Sequence, residues 1–298
     1  MKILSVDIGG SGFRKAIVCK GKPEPAVESG DIKSVGELLE FVRHDLPASL
    51  GGVAYSIPGV LRDGRVVVSP NRPFLNGVNL AHETTRKISR ASVVCNDMEA
   101  AVMGMARLFP DQKFFTGITW SSGIGERTIK DRIILAESEV GHMQLETSPF
   151  APICACGKRG CAEALFGGLA LQRRIREVCE LRGTEIPPEY KCPSMFLDAS
   201  YDAKIPWAIE MYDSLSMGMA RLLAATQSVL RVPAIVWKGA IARDVLKRKE
   251  GEIQTRMANM LIDPKWGFDL EFYHVWDVEP YKDADALIGA AEILEQII

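Results

Sequence analysis

Four side chains carry the plainest chemistry in this chain. His142 is followed, after eleven intervening residues, by the run Cys154-Ala-Cys156-Gly-Lys-Arg-Gly-Cys161. Three thiols within eight residues and one imidazole upstream make the ligand complement of a tetrahedral zinc site. Gly157 and Gly160 provide the positive-φ positions that a tight loop needs if its sulfurs are to face one ion. Glu139 and Glu163 bracket the set. A metal with four ligands needs neither carboxylate, so the pair points to a polar ligand recognised beside the ion. The expectation is a structural zinc under a binding site. Two other readings of the thiols compete, scattered core cysteines and a disulfide. The tight spacing argues against the first. An odd total of seven cysteines and no apolar signal segment after Met1 argue for a reduced, cytoplasmic chain against the second.

Further chemistry-bearing residues sit at the ends of apolar runs. The first seven residues after Met1, ending in Asp7-Ile8, read as a strand; Gly9-Gly10-Ser11-Gly12 and a second apolar run, 16–19, follow at once. Such a hairpin loop can bring backbone N–H groups to a phosphate, although a glycine-rich turn can equally serve geometry alone. The same logic recurs at 114–120, Ser121-Ser122-Gly123-Ile124-Gly125 and 128–135, and two such units would clamp a nucleotide from both sides. Asn96-Asp97 stands between a strand and a helical pattern. That is a place for an N-cap, and also for a carboxylate that stays ionised and takes a proton from a hydroxyl; both readings can hold together. Pro58-Gly59 and Pro70-Asn71 end two more strands, where α/β folds place either plain turns or ligand contacts.

With these residues in view, the chain resembles the ROK (repressor, open reading frame, kinase) family of sugar kinases and sugar-responsive repressors. The resemblance is carried by Glu139-x-Gly-His142, by Cys154-x-Cys156-Gly-x-x-Gly-Cys161-x-Glu163 and by Asp7-Ile-Gly-Gly-Ser11. It covers nearly the whole chain. It implies that His142, Cys154, Cys156 and Cys161 bind structural zinc, and that Glu139, His142, Glu163 and Asn96 touch sugar hydroxyls, with Gly59 and Asn71 as further sugar contacts. It implies Asp97 as general base and Asp7 as the acid that positions a magnesium complex through water. Gly9, Gly10, Ser11, Ser122, Gly123, Gly125 and Gly239 would then meet ATP. The chain departs from the family where Glu126 and Arg127 replace small residues, and at Lys238-Gly239-Ala240, where a richer glycine run is usual. A carboxylate at 126 opposes a polyanion, and the expectation is that Arg127 compensates it with phosphate contacts.

The elements that must hold these residues follow from patterning. At 298 residues with 47% hydrophobic content, the chain can build two domains with packed cores. A net charge of −2 with mixed signs gives no footprint for nucleic acid or for a membrane surface, and no apolar run reaches the ~18 residues of a membrane span. Ser34 and Glu37 make a capping pattern before a helix, 98–108 is helical until Pro110, 165–181 reads as one helix, and 208–230 as a long core helix. His44, His82 and His274 are expected to be structural or surface residues. The fold class implied by the resemblance is α/β, a two-domain actin-like ATPase (ribonuclease H-like) fold with an interdomain cleft. Its N-terminal domain would be 1–113, joined by the C-terminal helix 284–298. Its C-terminal domain would be 114–283, with the zinc segment at 139–163. The function implied is ATP-dependent phosphorylation of a hexose or N-acylhexosamine, glucokinase-like; the alternative is a non-catalytic sugar sensor with a degenerate nucleotide site. The expected partners are a small sugar and a nucleotide. Because the first phosphate motif lies at the start of the chain, no DNA-binding helix-turn-helix and no nucleic-acid partner are expected. Monomer or homodimer is left open.

Overall fold

The computed structural model describes residues 1–9, 12–29, 32–69, 72–136, 138–278 and 284–298. Contacts divide the chain into two compact units. The first comprises 1–113, 127–135 and 277–298; the second comprises 114–126 and 136–276.

In the first unit the elements are β1 (Lys2–Ile8), β2 (Phe13–Cys19), β3 (Lys22–Pro23), β4 (Val27–Ser29), α1 (Val35–Arg43), β5 (Leu50–Ile57), β6 (Val60–Arg62), β7 (Arg65–Val68), α2 (Leu80–Ile88), β8 (Ala91–Asn96) and α3 (Asp97–Leu108). The main sheet has the order β3-β2-β1-β5-β8, with β1 antiparallel to β2 and β1, β5 and β8 parallel. Period-two alternation decides which helix each strand face meets. Leu4, Val6 and Ile8 of β1 join Val53, Tyr55 and Ile57 of β5 against Leu38, Leu39 and Val42 of α1. Ile3, Ala54 and Cys95 join a cluster with Ala100 of α3.

The second unit holds β9 (Phe114–Trp120), the start of β10 (Ile124–Lys130), most of the chain after β11 (Ile133–Ala136), α4 (Ala162–Phe166), α5 (Gly168–Leu181), α6 (Pro193–Asp202), α7 (Pro206–Leu230), β12 (Ala234–Lys238), α8 (Ala240–Ala258), α9 (Lys265–Phe268) and β13 (Glu271–His274). Here β12 runs parallel to both β9 and β13. Ile118, Trp120, Ile235 and Trp237 pack with Met211, Leu215, Met219 and Leu222 of α7. The single helix expected over 165–181 is two, α4 and α5, because Gly167 is extended (ψ 156°) and breaks the run.

After α10 (Val275–Val278) the last helix, α11 (Asp285–Glu295), returns to the first unit and packs along α3. Glycine makes that approach possible: a Cβ on Gly289 would lie 1.7 Å from the Ala100 carbonyl oxygen, and one on Gly104 would lie 2.2 Å from that of Asp285. Among the described residues no helix is long and apolar enough to cross a membrane.

Candidate active site and metal centre

The thiols and the imidazole converge. The ligand atoms of His142, Cys154, Cys156 and Cys161 all lie within 4.8 Å of one another. Cys156 Sγ and Cys161 Sγ are 3.7 Å apart, and Cys154 Sγ is 3.4 Å from His142 Nδ1. With Zn–S bonds of about 2.3 Å, the edge of a tetrahedron is about 3.8 Å, so the spacing fits a zinc ion. The loop is shaped for this by Gly157 (φ 86°) and Gly160 (φ 70°); a Cβ at Gly160 would lie 1.9 Å from the Glu146 carbonyl oxygen. Without a metal, burial pushes the Cys161 thiol up to about 12 and raises that of Cys154, while the Lys158 backbone N–H lowers that of Cys156. Two reluctant thiols need a bound cation to make them thiolates.

The zinc segment also reaches the second glycine loop. Glu163, in the first turn of α4, accepts the Ile124 N–H on Oε2 at 3.0 Å. Gly123 leaves room for that carboxylate, since a Cβ there would lie 2.2 Å from Oε2. Gly141 of the Glu139-Val-Gly-His142 run packs on the other side, where a Cβ would lie 2.1 Å from the Ile124 carbonyl oxygen. The loop is tied further by Gly168 N–H to Ser121 O (2.8 Å) and Leu169 N–H to Ser122 O (3.1 Å). Ser121 N–H closes on Gly123 O at 3.0 Å. Gly125 is the second residue of β10, and Gly239 (φ 113°) caps α8 with its backbone against Trp120, where a Cβ would lie 2.2 Å from the carbonyl oxygen. His142 points Nδ1 at the thiols, which leaves Nε2 for another partner, and Glu139 precedes the 3-10 turn Val140–His142 as an exposed residue.

In the first unit Asp7, Gly59, Asn96 and Asp97 gather at the C-terminal ends of β1, β5 and β8, because the parallel register puts Asp7 beside Ser56 and Ile57 beside Asn96. Asn96 caps α3 and Asp97 is its first residue; both are half-buried. The cap is a full box: Met98 N–H donates to Asn96 Oδ1 and Asn96 N–H to Glu99 Oε2, each at 2.9 Å. Asn96 Nδ2 donates to Gly59 O at 2.9 Å, and Gly59 (φ 138°) has no space for a Cβ against Val68 O. Gly59 thus enters as a backbone carbonyl that holds Asn96. Gly10, Ser11 and Asn71 lie outside the described residues.

Asp7 is less open than its sequence suggests. Arg14 donates to its Oδ2 from Nη2 at 2.5 Å and from Nε at 3.2 Å, and Ser56 Oγ donates to Oδ1 at 3.0 Å. Gly9 N–H is spent on Gly12 O at 2.8 Å. Asp7, Gly9, Gly12 and Arg14 line a cavity of about 480 Å³ with Glu28 and Ser29. A carboxylate already partnered on both oxygens fits the anchoring of magnesium-bound water better than direct coordination. The pair follows from hairpin register, since a loop that sets Ile8 opposite Phe13 sets Asp7 opposite Arg14.

The expectation for Glu126 and Arg127 needs correction. Successive strand residues point to opposite faces. Glu126 is buried and accepts from Ser138 Oγ at 2.7 Å, whereas the buried Arg127 donates from Nη2 to Asn96 Oδ1 at 3.3 Å. Arg127 thus bonds the residue expected to bind sugar, and Glu126 bonds Ser138.

The architecture is that of the actin-like, two-domain α/β ATPases. Within that class the chain belongs to the ROK family, whose model matches residues 4–297. It is similar to the glucokinase of Thermotoga maritima (25% identity, covering 100% of this chain and 98% of that one). It is also similar to the N-acetylmannosamine kinase of Salmonella typhi (24%, covering 98% and 97%). Among solved structures it resembles a ROK family glucokinase from Streptomyces griseus in complex with glucose and AMPPNP, with TM-score 0.75, 19% identity and coverage of 99% and 100%.

Proposed function

We propose that this carbohydrate kinase transfers the terminal phosphoryl group of ATP to a hydroxyl of a hexose or N-acylhexosamine, with Asp97 as general base. The observation that carries the reading is the junction of β8 and α3, where a half-buried carboxylate stands at a helix N-terminus beside the asparagine that caps the helix. The helix N–H groups favour the ionised carboxylate. That suits a base which takes the hydroxyl proton as the sugar oxygen bonds to phosphorus, while the bond from phosphorus to the bridging oxygen breaks and its electron pair leaves on ADP. Names of the relatives support glucose and N-acetylmannosamine as acceptors to test first.

Phosphates would meet the Ser122 and Gly123 amides, with Gly125 and Gly239 allowing backbone to approach. Magnesium, when bound, would neutralise charge on the phosphates, and Asp7 would hold its water. Glu139, His142 Nε2 and the free oxygen of Glu163 would receive sugar hydroxyls. Zinc on His142, Cys154, Cys156 and Cys161 would fix the segment that carries them, contributing its binding energy to folding. A coupled ADP-release screen over hexoses and N-acylhexosamines, with magnesium and ATP, tests the reading: sugar-dependent ADP release is expected for at least one of them. Sugar binding by calorimetry with no ADP release would favour a sugar sensor instead.

A further inference from the structure

Asn96 has a fixed set of hydrogen-bonding sites, and nearly all are occupied. Its Oδ1 has two lone pairs. One takes the Met98 N–H at 2.9 Å and the other faces Arg127 Nη2 at 3.3 Å. Its Nδ2 has two protons, one of which goes to Gly59 O at 2.9 Å. A backbone N–H and a guanidinium can only donate, and a backbone carbonyl can only accept, so all three partners demand the same orientation of the amide. Flipping it would put N–H against two donors and oxygen against a carbonyl. The capacity left over is one N–H.

That remainder has a direction. We propose that Arg127 is a positioning residue: by filling the second lone pair of Asn96 Oδ1, it makes Asn96 a pure donor to the sugar, so that the acceptor hydroxyl receives the Asn96 N–H and turns its own proton toward Asp97. A hydroxyl meeting an asparagine with a spare lone pair has two places to send its proton, the amide oxygen and the carboxylate. With the lone pair filled it has one. Arg127 is 3% exposed, and its burial keeps water from competing for the same site. The inference rests on the kinase reading above.

The test compares wild type, Arg127→Met and Arg127→Lys, with glucose and N-acetylmannosamine as acceptors and calorimetry for sugar affinity without nucleotide. Lysine restores a donor that can reach toward Asn96 Oδ1; methionine fills space and donates nothing. The expected result is a kcat about 10- to 100-fold lower for Arg127→Met, sugar Kd within about threefold of wild type, and recovery of most of the rate by Arg127→Lys. An unchanged kcat in Arg127→Met overturns the inference. So does an equal loss in both variants accompanied by weaker sugar binding and a lower melting temperature, which would mark the arginine as part of the scaffold only. A wild type inert toward both sugars overturns the kinase reading and this inference with it, whereas an active wild type with an unaltered Arg127→Met overturns the inference alone.

Discussion

Glu163 accepts the Ile124 N–H at 3.0 Å, so the carboxylate expected on a sugar also holds the backbone of the loop expected on phosphates. One oxygen is committed to the protein and one remains. A bond to an ionised acceptor is worth about 1.5–3 kcal/mol, enough to set the loop's shape.

Gly123→Ala should disturb both ends of this link. Its Cβ would fall 2.2 Å from Glu163 Oε2 and 3.0 Å from Cδ, so the carboxylate must withdraw from Ile124. Both KM values, for ATP and for sugar, should rise by about tenfold or more in steady-state kinetics. A rise confined to ATP would show that Glu163 is not shared.

Purified without chelator, the protein should carry about one zinc per chain by elemental analysis. Cys156→Ser should lower thermal stability by several kcal/mol and weaken sugar binding, because the ion's binding energy is folding energy for the 139–163 segment. Metal-free protein with an unchanged melting temperature in the variant would refute the site.

At the crossing of α3 and α11, Gly289→Ala puts a methyl group 1.7 Å from the Ala100 carbonyl oxygen. Overpacking between two helix backbones costs about 1–3 kcal/mol or more. Denaturant unfolding should show that loss, and a variant of native stability would mean that α11 does not pack as described.

On the proposed reading, in which Asp7 holds magnesium-bound water, Arg14 competes for the same carboxylate. Arg14→Met should free the carboxylate, and the magnesium concentration giving half-maximal activity should fall. A rise instead would place the guanidinium on the donor's phosphates.

The convergence of His142, Cys154, Cys156 and Cys161 was legible because these residues lie close along the chain, where spacing constrains geometry. The cap at Asn96 was legible for a similar reason, since a cap and its helix are local. Contacts that depend on strand register were hidden. Nothing local pairs Ser56 with Asp7, and Arg127 could be assigned to Asn96 only once the structure had brought two residues thirty-one positions apart into contact. The break at Gly167 was hidden for another reason: the apolar spacing of α4 runs on into α5, and the extended glycine is fixed by Gly168 and Leu169 bonding to Ser121 and Ser122. Helix α8, unread in the sequence, has Gly251 in its middle and a strongly charged face that blurs the pattern of Ile241, Val245, Ile253 and Met257.

The central claim is that Asp97 takes a proton from a sugar hydroxyl during phosphoryl transfer, and the most direct measurement is sugar phosphate formed from ATP by wild type and by Asp97→Asn, followed by phosphorus NMR. Asparagine keeps the shape at the start of α3 but accepts no proton. The account predicts sugar phosphate and ADP in equal amounts from wild type, and a rate about 10²- to 10⁴-fold lower in the variant with sugar binding little changed. Near-normal transfer by Asp97→Asn would contradict it and leave Asp97 as a helix-terminal residue only.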